Sequence, residues 1–245
     1  MDTLMAARKK RLKKGAQGWL RALPFILPGL ILVAVFVVYP MLFTIRISLS
    51  EYKIVQGDIT FIGLENFKNV LAGGSRFWYA YRNNFLYAIV TVPFIILGGM
   101  FFAYLINNLR RGQGIFRVGF YLPVITSWVI VSLVFQYMFN NSSRGLINYF
   151  LVDVLHVMDD YVPWLLREWS GNAAIWLMGI WKNMGWAMII YLAGLQSIPK
   201  ELYEAAELDG AGLWKKFVYI TVPALRPTTY YVMVNMIIGS FNVFI

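Results

Sequence analysis

A chain of 245 residues that is 59% hydrophobic and 14% charged, with a mean hydropathy of +0.60, is too apolar to be a soluble domain. Lys and Arg outnumber Asp and Glu by 22 to 12, for a net charge of +10, and there is no cysteine, which excludes disulfides. Four charge-free runs, residues 22–45, 83–109, 118–143 and 227–245, are long enough to cross a bilayer; a fifth, about 171–198, is interrupted only by Lys182. These lengths predict an all-α membrane protein with about five spans, since barrel strands would alternate over only about ten residues.

The first 21 residues form a basic tail containing Arg8, Lys9, Lys10, Arg11, Lys13, Lys14 and Arg21. Attraction to anionic lipid accounts for it more simply than nucleic acid does. The first apolar run is of full-span length with no small-residue cleavage site behind it, so it is not a cleavable signal peptide. An outward segment follows over 49–82, punctuated by Gly57, Asp58, Gly63, Gly73 and Gly74, with a short helix expected near 64–71. Its aromatic and basic end, with Phe77, Trp78, Tyr79 and Tyr81, suits the membrane interface. The tail 1–21, the first span with its outward segment over 22–82, and a core over 83–245 make up one membrane domain.

Pro93 in the second span and Pro123 near the start of the third predict kinked helices. Both are expected to face a bundle interior, where neighbours can satisfy the freed carbonyls. The next outward loop, 140–170, carries Asp153, Asp159, Asp160, Trp164 and His156, the only histidine. No His-based metal cluster or Cys/His pair can therefore form, and the adjacent aspartates read as solvated. A Gly-x-x-x-x-Gly-Lys-Ser/Thr phosphate loop is also missing, so this chain does not bind ATP by that route.

Between the fourth and fifth apolar runs lies a polar segment, 199–210. Pro199 suits a first helical turn, residues 200–208 are good helix formers, and Gly210 can take the left-handed conformation that ends a helix. Leu202, Ala205, Ala206 and Leu208 can share one face and Glu201, Glu204 and Glu207 another. So short a helix is marginal alone in water, which implies docking. The tail and the loops after spans two and four hold 14 basic residues against six on the other side. The positive-inside rule then puts the N-terminus and this segment in the cytoplasm.

Glu204-Ala205-Ala206, three residues, Gly210, nine residues, Ile220 and, after one residue, Val222-Pro223 resemble the coupling motif of bacterial ABC importer permeases; Val222 stands where that family usually has Leu. The phrases Phe61-Ile62-Gly63-Leu64-Glu65-Asn66-Phe67, Gly114-Ile115-Phe116-Arg117 and Tyr121-Leu122-Pro123 resemble carbohydrate-type permeases, and the resemblance extends over nearly all of the chain from about Phe25. It implies a type I importer permease in the bacterial inner membrane. Its partners would be a second permease, two ATPase subunits that hold the ATP and Mg, and an extracytoplasmic binding protein delivering a sugar-like solute. Glu204, Ala205, Ala206, Asp209 and Gly210 would form the coupling helix and its turn. By resemblance to the larger subunit of maltose-type importers, the solute path would include Val124, Ser127 and Trp128 in span three. It would continue through Lys182, Asn183 and Trp186 in span four and Ser240, Asn242 and Val243 in the last span. Such a family adds one more span, so a sixth is expected beyond Ile245.

Lys182 has two readings: a pore-facing group that contacts solute or holds a neighbouring helix, or a structural lysine paired with a carbonyl or a partner's acid. A self-sufficient secondary transporter or channel would also explain the spans and Lys182, and a scaffold subunit the spans alone. Both leave the Glu-Ala-Ala segment unexplained.

Overall fold

The computed structural model describes residues 22–53, 57–72 and 76–242; the basic tail and Val243 lie outside them. The chain divides into two compact units, Met1–Trp78 and Tyr79–Ile245.

In the first unit, α1 (Ala22–Ser48) is apolar on every side, and none of its residues is buried within this chain. A helix with no polar face belongs in a bilayer or against another membrane subunit. One π-helical turn, Ala34–Val38, lies inside it. The segment after α1 then forms a small antiparallel hairpin, β1 (Ser50–Lys53) with β2 (Asp58–Phe61), pairing Ser50 with Phe61 and Lys53 with Asp58. This is an addition to the all-α expectation. The short helix expected near 64–71 is α2 (Glu65–Leu71). It is stitched to the hairpin by Asn66, whose Nδ2 donates to the carbonyls of Ser48 at 3.1 Å and Ser50 at 2.9 Å.

The second unit is built on two long helices, α3 (Arg76–Asn107) and α7 (Glu168–Leu195). Between them come α4 (Gln113–Ile125), α5 (Trp128–Met138) and a loop holding the short α6 (Leu146–Asn148). After α7 follow α8 (Lys200–Leu208), α9 (Leu213–Lys216), α10 (Val222–Ala224) and α11 (Arg226–Ser240). The core joins Ile95, Met100, Ala103 and Tyr104 of α3 to Ala187, Met188, Tyr191 and Leu192 of α7, closed by Leu225 and Val232.

Small residues let the backbones approach. Gly185 of α7 lies against the Phe120 carbonyl of α4 and Gly179 against the Tyr87 hydroxyl of α3, so closely that a Cβ at either would overlap. A Cβ at Gly99 would come 2.8 Å from that of Ala187.

Among the described residues three helices, α1, α3 and α7, are long and apolar enough to span a membrane, and α4 with α5 would make a fourth. That fourth differs from the single kinked span expected over 118–143: α4 and α5 meet at 94°. Thr126 and Ser127 are extended, with ψ of 138° and 139°. The Thr126 hydroxyl donates back to the Leu122 carbonyl at 2.9 Å, and the Ser127 hydroxyl accepts from the Val129 N–H at 3.3 Å. Helix end and helix start are thus capped by adjacent residues. The last predicted span is represented by the 15 residues of α11.

The two prolines part company. Pro123 is buried, as expected, but Pro93 turns to the outside of the chain, correcting the expectation that it faces inward. Helix α3 runs through it unbroken. The buried side is instead taken by Thr91, Val92 and Ile95, which pack towards the core.

Candidate functional site

Helices α3, α5, α7 and α11 enclose a cavity of about 700 Å³. Helix α3 contributes Tyr87 and Thr91, α5 Trp128 and Ser132, α7 Asn183, and the end of α11 Ser240, followed by Asn242. Among the described residues, none in its lining carries a charge. Tyr87 and Thr91 sit one turn apart on the inner face, the Thr91 hydroxyl donating to the Tyr87 carbonyl at 2.7 Å. Asn183 donates one amide N–H to the Gly179 carbonyl at 2.9 Å, and the Ser240 hydroxyl donates to that of Ile237 at 2.7 Å. Trp128 is 43% exposed. Aromatic faces beside a few fixed polar groups can hold a polar, uncharged solute.

The structure brings together Trp128, Asn183, Ser240 and Asn242 of the path residues expected from sequence, and places others apart. Trp186 stacks on Tyr231 with ring centres 6.2 Å apart and packs on the core, outside the cavity lining. Val124 lies half-buried on α4, and Ser127 is spent capping α5. Val243 lies outside the described residues. Tyr87, Thr91 and Ser132 were missed. A Tyr and a Thr four apart in an otherwise apolar span would have been the signal, since that spacing puts two polar groups on one helix face.

Lys182 is 4% exposed. Its Nζ donates to the carbonyls of Pro123 at 2.9 Å, Val124 at 3.3 Å and Thr126 at 2.5 Å, and lies 4.8 Å from the centre of the Trp128 ring. These contacts pair it with carbonyls and hold it to a neighbouring helix, a feature of each of the two readings open from sequence.

The polar segment expected over 199–210 is α8 with its terminal turn. Gly210 has φ of +75°; its N–H donates to the Glu207 carbonyl at 3.1 Å and the next N–H, of Ala211, to the Ala206 carbonyl at 2.8 Å. This pair of bonds is the Schellman ending, which uses a left-handed residue. Glu204, Ala205 and Asp209 are exposed and Ala206 half-buried. The expected apolar face is not covered by this chain: Leu202 is 49% and Leu208 91% exposed. Tyr203 turns inward instead, its hydroxyl 2.8 Å from that of the buried Thr221. Lys216 pairs with Glu207 at 3.2 Å.

In the loop between α5 and α7, Asn148 is fully buried. Its Nδ2 donates to the carbonyls of Asn140 and Val162, and its Oδ1 accepts from the Val162 N–H and from Trp164 Nε1. His156 is exposed, as expected of a surface residue.

Residues 70–245 match the family described as the binding-protein-dependent transport system inner membrane component. The chain is 34% identical over 223 residues to the arabinooligosaccharides transport system permease protein AraP of Halalkalibacterium halodurans, covering 90% of this chain and 67% of the relative. It is 32% identical to the lactose transport system permease protein LacF of Rhizobium radiobacter over 93% of this chain and 73% of the other. Among solved structures, a chain of a bacterial ABC transporter involved in the import of the acidic polysaccharide alginate superposes with a TM-score of 0.78. Its identity is 25%, with 95% of this chain and 77% of that one covered. The same transport system has been solved with an alginate pentasaccharide-bound periplasmic protein, at a TM-score of 0.76 over 92% of this chain and 74% of that one. With apolar spans, a capped Glu-Ala-Ala helix and a match over most of its length, the chain belongs to the family of binding-protein-dependent inner membrane components and is the permease subunit, not the ATPase, of an ABC importer.

Proposed function

We propose that this subunit forms half of the translocation path for an uncharged sugar or sugar-like solute, and that the cavity between α3, α5, α7 and α11 is its share of that path. The carrying observation is the lining: an exposed Trp128 beside Asn183, Ser240 and Tyr87, with no charged side chain among the described residues. The names of the arabinooligosaccharide and lactose relatives point to the same solute class. Trp128, Asn183, Ser240 and Asn242 contact the solute, with Val124, Ser127 and Trp186 in supporting positions.

In this reading α8 is the coupling helix. Glu204, Ala205 and Asp209 face a separate ATPase, the exposed Leu202 and Leu208 are covered by it, and Gly210 sets the turn. The N-terminus and α8 are cytoplasmic, a second permease completes the path, two ATPase subunits bind the ATP and Mg, and a soluble binding protein delivers the solute outside. ATP can drive alternating access only if it binds one conformation of the assembly better than the other.

Mass spectrometry of what co-purifies with the tagged chain in mild detergent tests the reading. An ATPase and a second permease are expected, and are lost when Glu204 and Gly210 are changed together. Recovery of the chain alone, as monomer or homo-oligomer, overturns it. Asn183→Ala should lower uptake while leaving those partners bound.

A further inference from the structure

We propose that Lys182 is a positioning residue: its buried ammonium ties the α4–α5 corner to α7 and thereby fixes the Trp128 ring at the cavity wall, without touching the solute itself. An ammonium has three N–H donors and no acceptor, and here the three meet three carbonyl oxygens, those of Pro123, Val124 and Thr126. No donor is left for a solute. These carbonyls lie where α4 ends and its intrahelical donors run out, the Pro123 oxygen also accepting from the Thr126 N–H at 3.3 Å, so one cation from a helix some sixty residues later helps satisfy a chain that turns by 94°. Cations at a helix C-terminus also meet the negative end of its dipole. The same Nζ stands 4.8 Å from the ring centre of Trp128, the first residue of α5 and part of the cavity lining. A lysine with no acidic partner in its hydrogen-bond set is thus matched in number and direction to one corner of the backbone.

The proposal rests on reading the cavity as the solute path, and the test separates the two. Because the chain has no cysteine, Ser132→Cys on α5 gives a single thiol in the cavity wall. In the complete importer in proteoliposomes, its labelling by the membrane-impermeant trimethylammonium-ethyl methanethiosulfonate is timed. Lys182→Met keeps the stem and removes all three donors; it is expected to change the labelling rate at least fivefold, and Lys182→Arg to return it to within twofold. Lys182→Met should also shift tryptophan emission in the otherwise unaltered chain and leave it unshifted when Trp128 is Phe, a signature that general loosening would not confine to one ring. An importer that assembles with Arg but with neither Met nor Gln at 182 equally supports the tie. Equal labelling and unshifted emission with Met at 182 overturn it. A thiol at 132 that never labels, with emission still shifting, sinks the path reading and leaves the tie standing.

Discussion

The hydroxyls of Tyr203 and Thr221 lie 2.8 Å apart across 18 residues of chain, and they are the polar joint between the helix that would meet the ATPase and the body that would move. Thr221 is fully buried, and Tyr203 packs on the core that α3, α7 and α11 share. Tyr203→Phe keeps the ring and removes the joint. A hydrogen bond of this kind contributes about 1 kcal/mol net, so folding should survive. The expected effect is on coupling: more ATP hydrolysed per solute moved, by about two- to fivefold. Uptake and ATPase rates measured together in proteoliposomes decide it, and an unchanged ratio would show that α8 transmits motion by other contacts.

Gly210 is a backbone requirement and not a packing one. Its φ is +75°, and a Cβ built there meets nothing within 4 Å. The cost of replacement therefore lies in the left-handed conformation, about 1–2 kcal/mol for an ordinary L-residue and more for a β-branched one. Gly210→Val should impair uptake at equal membrane abundance, whereas Gly210→Asn, which tolerates this region, should retain most of it. If Val transports as well as wild type, the turn has no coupling role.

Local punctuation explains how much could be read from the letters. Pro199 and Gly210 bracket α8 closely, the charge-free runs locate α1 and α3, and the run broken only by Lys182 locates α7, because these signals act within a few residues or by simple length. The break in the third span escaped. Hydropathy does not register two extended residues, and the conspicuous breaker, Pro123, lies within α4 just before the break at Thr126 and Ser127. What satisfies that corner is Lys182, a contact 56 to 59 residues away. The role of Lys182 was undecidable from sequence for the same reason. Pro93 points away from its own unit's core: a proline's freed carbonyl needs a neighbouring helix or water, and the letters do not say whether that neighbour is this unit or another subunit. Trp128 and Asn183 entered as path residues through the family resemblance; the cavity they share with Tyr87 is a product of packing.

Gly185 should tolerate no side chain, since its α-carbon faces the Phe120 carbonyl where α4 crosses α7. Gly185→Ala forces the two helices apart, at a cost of about 1–3 kcal/mol by analogy with overpacked cores. Gly239, with nothing within 4 Å of a Cβ, is the matched control. Thermal unfolding of the detergent-purified importer should fall by several degrees for Gly185→Ala and stay put for Gly239→Ala. Equal midpoints would mean that α4 and α7 are not held in this close approach.

Asn148 organises the loop between α5 and α7 as Lys182 does the corner, by matching several backbone groups with one side chain. Its oxygen accepts from the Val162 N–H at 3.1 Å and from Trp164 Nε1 at 2.8 Å, while its nitrogen donates to Asn140 at 3.1 Å and Val162 at 3.0 Å. Asn148→Ala strips partners from groups that burial keeps from water, at about 1–3 kcal/mol for each one left unsatisfied. Asn148→Asp keeps the acceptor but removes the donor and buries a charge, so it should be no better. Both variants should speed proteolysis of residues 140–166 from the outer face at least tenfold, with α3 and α7 protected as before. The loop is where a binding protein would approach in the proposed assembly. Solute-independent ATPase activity should therefore persist in Asn148→Ala while stimulation by the loaded binding protein falls. Loss of both together would mean that Asn148 holds up the whole fold.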